Sequence, residues 1–228
     1  MADTLFENDM IPYVEFADNA NERTPCVLVL DCSGSMRGEP IEQLNIGLKA
    51  LEHELKEDID ASSRVQLLII KAYGKDECEI SADWIDAMNF EAPKMEANGL
   101  TPLGKAVDLA LKKIETQKVL YDNCGITSKR PWIFLISDGE PTDYDWEIIA
   151  KKAIKAQEQK KVVIHAVGTK DANLEKLAKF SIMQPKRLSG LRFTEFFLWL
   201  SRSVSCISKA SPSTSDQLDD IGDWYEEE

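Results

Sequence analysis

The 228-residue chain is poor in the features that mark several broad classes of protein. It has no apolar run approaching the ~20 residues of a membrane-spanning helix, so no partnership with a bilayer is expected. Its first residues, Met1-Ala2-Asp3-Thr4, bring neither a basic segment nor an apolar core of the secretory kind, and a cytoplasmic location is the expectation. Positive charge is in the minority: 27 Lys and Arg stand against 40 Asp and Glu, a formal net charge of −13. A surface of that sign repels phosphate backbones, which argues against nucleic acid as a partner. The five cysteines (Cys26, Cys32, Cys78, Cys124, Cys206) are odd in number, widely spaced and without a C-x-x-C, which fits reduced thiols and not a disulfide framework or zinc knuckle. Only two histidines are present. His53 falls on the polar face of a helical pattern and His165 inside an apolar run, so neither is well placed to serve as a catalytic base.

What the chain does have is an alternation of apolar runs with helical periodicity. Val27-Leu-Val-Leu30 is a continuous apolar, β-favouring run of the kind buried on both faces of a parallel sheet. Leu44, Leu48, Leu51 and Leu55 then recur at helical spacing between Pro40, a good first-turn residue, and Asp58. Val65–Tyr73 is a second strand and Cys78–Trp84 its antiparallel neighbour at the sheet edge. Leu103, Val107, Ala110, Leu111 and Ile114 mark a further helix. Trp132–Asp138 and Val162–Gly168 are buried strands, with a helix through Lys160 between them that a Thr142/Asp145 capping box would start. Ala172–Phe180 and Phe193–Cys206 complete the pattern as helices. Strands alternating with helices predict a doubly wound α/β architecture: a mostly parallel sheet with one antiparallel edge strand and helices on both faces. Residues 1–22 read as an acidic arm with a candidate edge strand at Met10–Phe16, residues 23–207 as the folded domain, and residues 208–228 as a flexible acidic tail.

The candidate site lies where the first strand ends. Asp31, Ser33 and Ser35 alternate there, with Gly34 letting the backbone turn. One carboxylate and two hydroxyls converging on a point are hard oxygen donors, suited to Mg²⁺ or Mn²⁺. The competing reading is a turn whose Asp and Ser cap the next helix. Two later stretches favour the cation: Asn98–Gly104 places Thr101 on a loop before a helix, and Trp132–Ser137 ends in Asp138-Gly139. Carboxyl ends of parallel strands share one edge of the sheet, where ligands of such folds bind. Gly99-x-x-x-x-Gly104-Lys105 imitates a phosphate loop but is followed by Ala106 where Ser or Thr is needed.

Asp31-x-Ser33-x-Ser35, the lone Thr101 and Asp138-Gly139, in that order, resemble the metal-ion-dependent adhesion site (MIDAS) of a von Willebrand factor A domain. Asp31–Met36 with Gly38-Glu-Pro-Ile41, Thr101–Gly104, Ser137–Thr142 and Phe196-Phe-Leu-Trp199 look like the tellurium-resistance-associated, TerY-like bacterial subgroup. Cys32 departs from the Thr or Ser usual there, at a position that is not a ligand. The resemblance implies that Ser33, Ser35 and Thr101 hold the ion directly or through water and that Asp31 and Asp138 act through water. It also implies an open coordination position completed by an Asp or Glu of a protein partner. It further implies a scaffold in a stress or tellurium-resistance system, alongside a protein kinase and a PP2C-type phosphatase. The rival reading is a metal-dependent phosphoester hydrolase. No second Asp follows Asp31 at the spacing an aspartyl phosphatase needs, and no base is apparent, so a non-enzymatic binding module is the expectation. For the tail, whose carboxylates are the ligand type such a metal lacks, occupation of a metal site competes with anchoring on a partner through Trp224 and Tyr225.

Overall fold

The computed structural model describes residues 19–75, 77–209 and 224–226. The N-terminal arm, with its candidate strand at Met10–Phe16, lies outside the described residues, as does most of the acidic tail.

The first strand, β1 (Thr24–Asp31), is buried along its whole length. It lies between two parallel neighbours, β2 (Val65–Tyr73) and β4 (Trp132–Ser137). Beyond β2 runs antiparallel β3 (Glu77–Asp86), and beyond β4 come β5 (Val163–Gly168), β6 (Lys186–Leu188) and β7 (Tyr225–Glu226). The seven-stranded order is β3-β2-β1-β4-β5-β6-β7. The doubly wound, mostly parallel sheet is thus as the sequence predicts, with one difference. It carries two antiparallel edges, because β7 pairs against β6 as well as β3 against β2. Two- and three-residue strands carry no alternation long enough to read in a sequence.

Strand alternation splits the core into two layers. Cys26, Leu28 and Leu30 face one side, with Leu44, Leu48, Leu51 and Leu55 of helix α1 (Glu39–Glu57) and Phe193, Phe196 and Phe197 of helix α6 (Phe193–Lys209). Val27 and Val29 face the other, with Leu103, Val107 and Ala110 of helix α3 (Leu103–Asn123) and Ala150 and Ala153 of helix α4 (Trp146–Glu158). Two short helices complete the set, α2 (Ile59–Arg64) and α5 (Leu174–Leu177). Helix α2, which the sequence pattern did not separate from α1, starts because the Asp58 side chain accepts hydrogen bonds from the N–H groups of Asp60 and Ala61. All five cysteines are free thiols. Among the described residues no helix is long and apolar enough to cross a membrane.

His165 sits mid-strand in β5, stacked on Trp132 at 5.0 Å and Phe134 at 5.3 Å. Burial pushes its imidazole down to about 4, so it is neutral at physiological pH. His53 is exposed on α1.

Candidate metal centre

The carboxyl ends of β1 and β4 are neighbours in the sheet, and this brings Asp31 beside Asp138. Asp31 is buried and accepts two hydrogen bonds, from Ser33 N–H at 2.9 Å and from the Ser137 hydroxyl at 2.6 Å. After Asp31 the chain turns through Gly34–Met36, one turn of 3₁₀ helix, which folds Ser33 and Ser35 back toward each other. Their hydroxyl oxygens are 2.8 Å apart, and the Ser35 hydroxyl donates to Asp138 Oδ2 at 2.6 Å. Ser33 is buried, Ser35 exposed and Asp138 half-buried, so this chain of oxygens runs from the core to solvent.

The turn at Asp138 is held from two sides. Its Oδ1 accepts the Glu140 N–H at 3.0 Å, and its carbonyl accepts the Asn173 N–H at 2.8 Å. Gly139 has φ +73°, and a Cβ there would meet the Asn173 carbonyl oxygen at 2.5 Å, so the residue after Asp138 must lack a side chain. Glu140 closes the arrangement by accepting from Asn173 Nδ2 at 2.9 Å and pairing with Lys176.

Thr101 is buried in the neighbouring loop. That loop is stitched to the Ser33–Ser35 turn through Gly34 N–H to Gly99 O at 2.8 Å and Asn98 N–H to Cys32 O at 2.7 Å. The Thr101 hydroxyl hydrogen-bonds none of the other four residues. Its backbone is instead clamped to Thr142: the Thr101 N–H donates to Thr142 Oγ1 at 3.1 Å, and the Thr142 N–H donates to Thr101 O at 2.9 Å. The expected Thr142/Asp145 capping box is therefore not formed. Helix α4 starts three residues later than the box requires, with Asp145 at its N-cap and making no side-chain cap bond, while the Thr142 hydroxyl accepts the Thr101 N–H across 41 residues.

Asp143, which sequence reasoning did not single out, sits buried under the start of α3. It accepts the Gly104 N–H at 3.2 Å and the Lys105 N–H at 2.9 Å. These are the free amides at which a phosphate loop would bind its anion, and a side-chain carboxylate of this chain already occupies them. Burial raises the Asp143 carboxyl above its ordinary value, against the pull of those N–H groups. Gly104 permits the approach: a Cβ there would meet Asp143 Oδ2 at 2.4 Å and Trp146 Cα at 2.6 Å. Nothing local in Thr142-Asp143 reveals this clamp, since its partners lie far earlier in the chain, on the Thr101 loop and in the first turn of α3.

The electrostatics of the cluster are one-sided. Burial first, and then the charge of Asp138, push the Asp31 carboxyl up to about 6. Among the described residues no basic side chain pairs with Asp31 or Asp138. Two carboxylates near three hydroxyls, one end of the cluster open to solvent, make an oxygen-only donor set short of positive charge. That chemistry fits a hard divalent cation and does not fit a soft one.

A family model described as the von Willebrand factor type A domain matches residues 26–194. No curated protein matches the sequence. Similar solved structures include the pilus adhesin SpaC from Lactobacillus rhamnosus GG, at TM-score 0.66 and 13% identity over 82% of this chain and 31% of that one. A von Willebrand factor type A protein from Catenulispora acidiphila has TM-score 0.58 and 16% identity, over 81% of this chain and 43% of that one. Proximal thread matrix protein 1 from the mussel byssus, solved with a zinc-occupied MIDAS motif, has TM-score 0.53 and 11% identity over 82% and 49% of the respective chains. The chain thus spans less than half the length of each of these three proteins.

Proposed function

The chain belongs to the von Willebrand factor type A family, and on that premise we propose that it is a non-enzymatic interaction module that binds a carboxylate of a partner protein through a divalent metal. The observation that carries the reading is the Asp31–Ser33–Ser35–Asp138 cluster: two carboxylates and two hydroxyls at one sheet edge, with no basic side chain among the described residues to balance them. Asp31, Ser33, Ser35, Thr101 and Asp138 would hold the ion. The bound ion supplies positive charge and a coordination position for an incoming Asp or Glu. An all-oxygen donor set favours Mg²⁺ or Mn²⁺ over the zinc seen in the mussel matrix protein.

Hydrolysis is the weaker reading because a base is missing. His165 is neutral and stacked in the sheet interior, and His53 is exposed on α1. We further propose, on the sequence resemblance alone, that the partner belongs to a bacterial tellurium- or stress-resistance system, with a protein kinase and a PP2C-type phosphatase as the candidates. Capture from a bacterial lysate with wild type and Asp31→Ala, each with Mg²⁺ and with EDTA, tests the reading. A partner retained only by wild type with Mg²⁺ is expected. Equal retention in all four arms overturns metal-bridged binding.

A further inference from the structure

The far edge of the sheet is closed by residues that lie well beyond α6 in the chain. Strand β7 pairs antiparallel with β6, Tyr225 opposite Leu188 and Glu226 opposite Arg187. The Trp224 carbonyl accepts the Ser189 N–H at 2.8 Å. Trp224 is 2% exposed and belongs to the same core layer as α1 and α6. Its ring packs on Phe196 at 4.9 Å and on Trp199 at 5.1 Å. Tyr225 lies under the Lys186 ammonium, 4.5 Å from the ring centre. The segment expected from its composition to be solvated therefore contributes an anchor to the core.

Three features describe what this seat recognises. The edge of β6 supplies main-chain pairing to an extended segment, whatever its sequence. The Phe196/Trp199 slot takes a large aromatic side chain, and a cavity of about 260 Å³ lined by His165, Met183 and Trp199 continues beside it. Arg187 lies opposite Glu226 and the Lys186 ammonium sits over the Tyr225 ring, so positive charge runs along the strand beside Tyr225 and Glu226, which Glu227 and Glu228 follow in sequence. The order recognised is aromatic first, acidic after.

The seat is also built to be left. Among the described residues two pairs hold β7, and the indole N–H groups of Trp199 and Trp224 find no hydrogen-bond partner among them although both are buried. Residues 210–223 separate Trp224 from the end of α6, so the occupant is a tethered one. Tethering raises effective concentration to the millimolar range, enough to fill a weak site without making it permanent. Once vacated, the edge of β6 would present unpaired N–H and C=O groups beside exposed aromatic rings, a template for another strand.

We propose that the β6 edge with its Phe196/Trp199 slot is a strand-addition site for an extended aromatic-then-acidic peptide, which Trp224-Tyr225-Glu226 of the same chain fills in cis. The seat is built on β6 and α6, two strands away from β4 in the sheet, and none of its contacts calls for a metal. A partner carrying a segment of the same chemistry would have to displace the chain's own.

The probe is a fluorescein-labelled peptide of the sequence of residues 216–228, titrated by anisotropy against the full-length chain and against full-length Trp224→Ala/Tyr225→Ala. The variant, whose cis occupant has lost its anchors, is expected to bind the peptide at least roughly tenfold more tightly than wild type. A peptide with Trp replaced by Ala should not bind either protein. Equal binding to wild type and variant, or none to a variant that stays folded, overturns the proposal. Should the variant lose its cooperative melt, restoration of that melt by added peptide supports the proposal, and failure to restore it overturns it.

Discussion

The hydroxyl of Ser35 donates a 2.6 Å hydrogen bond to Asp138 Oδ2, joining the ends of two strands from residues 103 apart in sequence. The contact is exposed, so it contributes little to stability by itself. Its consequence is geometric: it brings a turn after β1 and a turn after β4 to one point. Mg²⁺ or Mn²⁺ at a hundred times its dissociation constant should stabilise the wild type by about 2.7 kcal/mol. For a domain of this size that is a rise in melting temperature of roughly 5–10 °C. Asp138→Ala and Asp31→Asn should abolish the rise, because each removes a charge from the donor set. An undiminished rise in both, measured by differential scanning fluorimetry with and without EDTA, would remove these residues from the site.

Thr142→Val tests the clamp on the Thr101 loop. The substitution keeps the volume and deletes the hydroxyl that accepts the Thr101 N–H. An N–H left unpaired costs about 1–3 kcal/mol, readable as a shift in urea midpoint. If the clamp positions Thr101, the metal-induced melting shift should shrink as well. A loss of stability with an unchanged metal response would make Thr142 a purely structural partner.

Gly104→Ala should be worse than its one added methyl suggests. The new Cβ would fall 2.4 Å from Asp143 Oδ2 and 2.6 Å from Trp146 Cα, so α3 and α4 must separate or Asp143 must release its amides. Overpacking of this kind costs about 1–3 kcal/mol. A urea midpoint within error of wild type would show that the two helices yield freely there.

Asp58 makes stability depend on acid. Burial opposes its charge, but the Ser205 hydroxyl, the Ala61 N–H and the Lys209 ammonium outweigh it and hold the carboxyl down to about 2. A folded-state value below the ordinary 3.8 means the contribution is fully present above pH 3.8 and is lost as pH falls toward 2. Asp58→Ala should therefore cost about 1 kcal/mol at neutral pH, chiefly through the lost helix cap. The difference from wild type should close between pH 4 and pH 2. A deficit that persists undiminished at pH 2, measured by urea unfolding across that range, would show that the charge of Asp58 is not what the fold uses.

Much of this architecture is legible along the chain because it is written in local periodicity. Val27–Leu30, Leu67–Ile70 and Trp132–Ile136 are continuous apolar runs, and a strand buried on both faces needs little else to identify it. Leu44 through Leu55 and Leu103 through Ile114 repeat at helical spacing for the same reason. The order Asp31, Ser33, Ser35, Thr101, Asp138 is also a property of the sequence, since polar residues at strand ends have nowhere to go but the sheet edge.

What only the tertiary structure decided are the relationships between residues whose local sequence is silent. The local pattern assigned the Thr142 hydroxyl to the start of α4, but it accepts the N–H of Thr101 on another loop, and α4 starts beyond it at Trp146. Asp143 carries no motif, yet fills the amides at the start of α3, because helix packing brings its loop there. The composition of residues 216–228 speaks for solvation, with seven acidic side chains. Trp224 is nonetheless buried among Phe196 and Trp199, because an open sheet edge and an aromatic slot exist only once β5, β6 and α6 have assembled. Periodicity reports which face a residue turns inward. Which distant partner meets it there depends on the closure of the whole sheet.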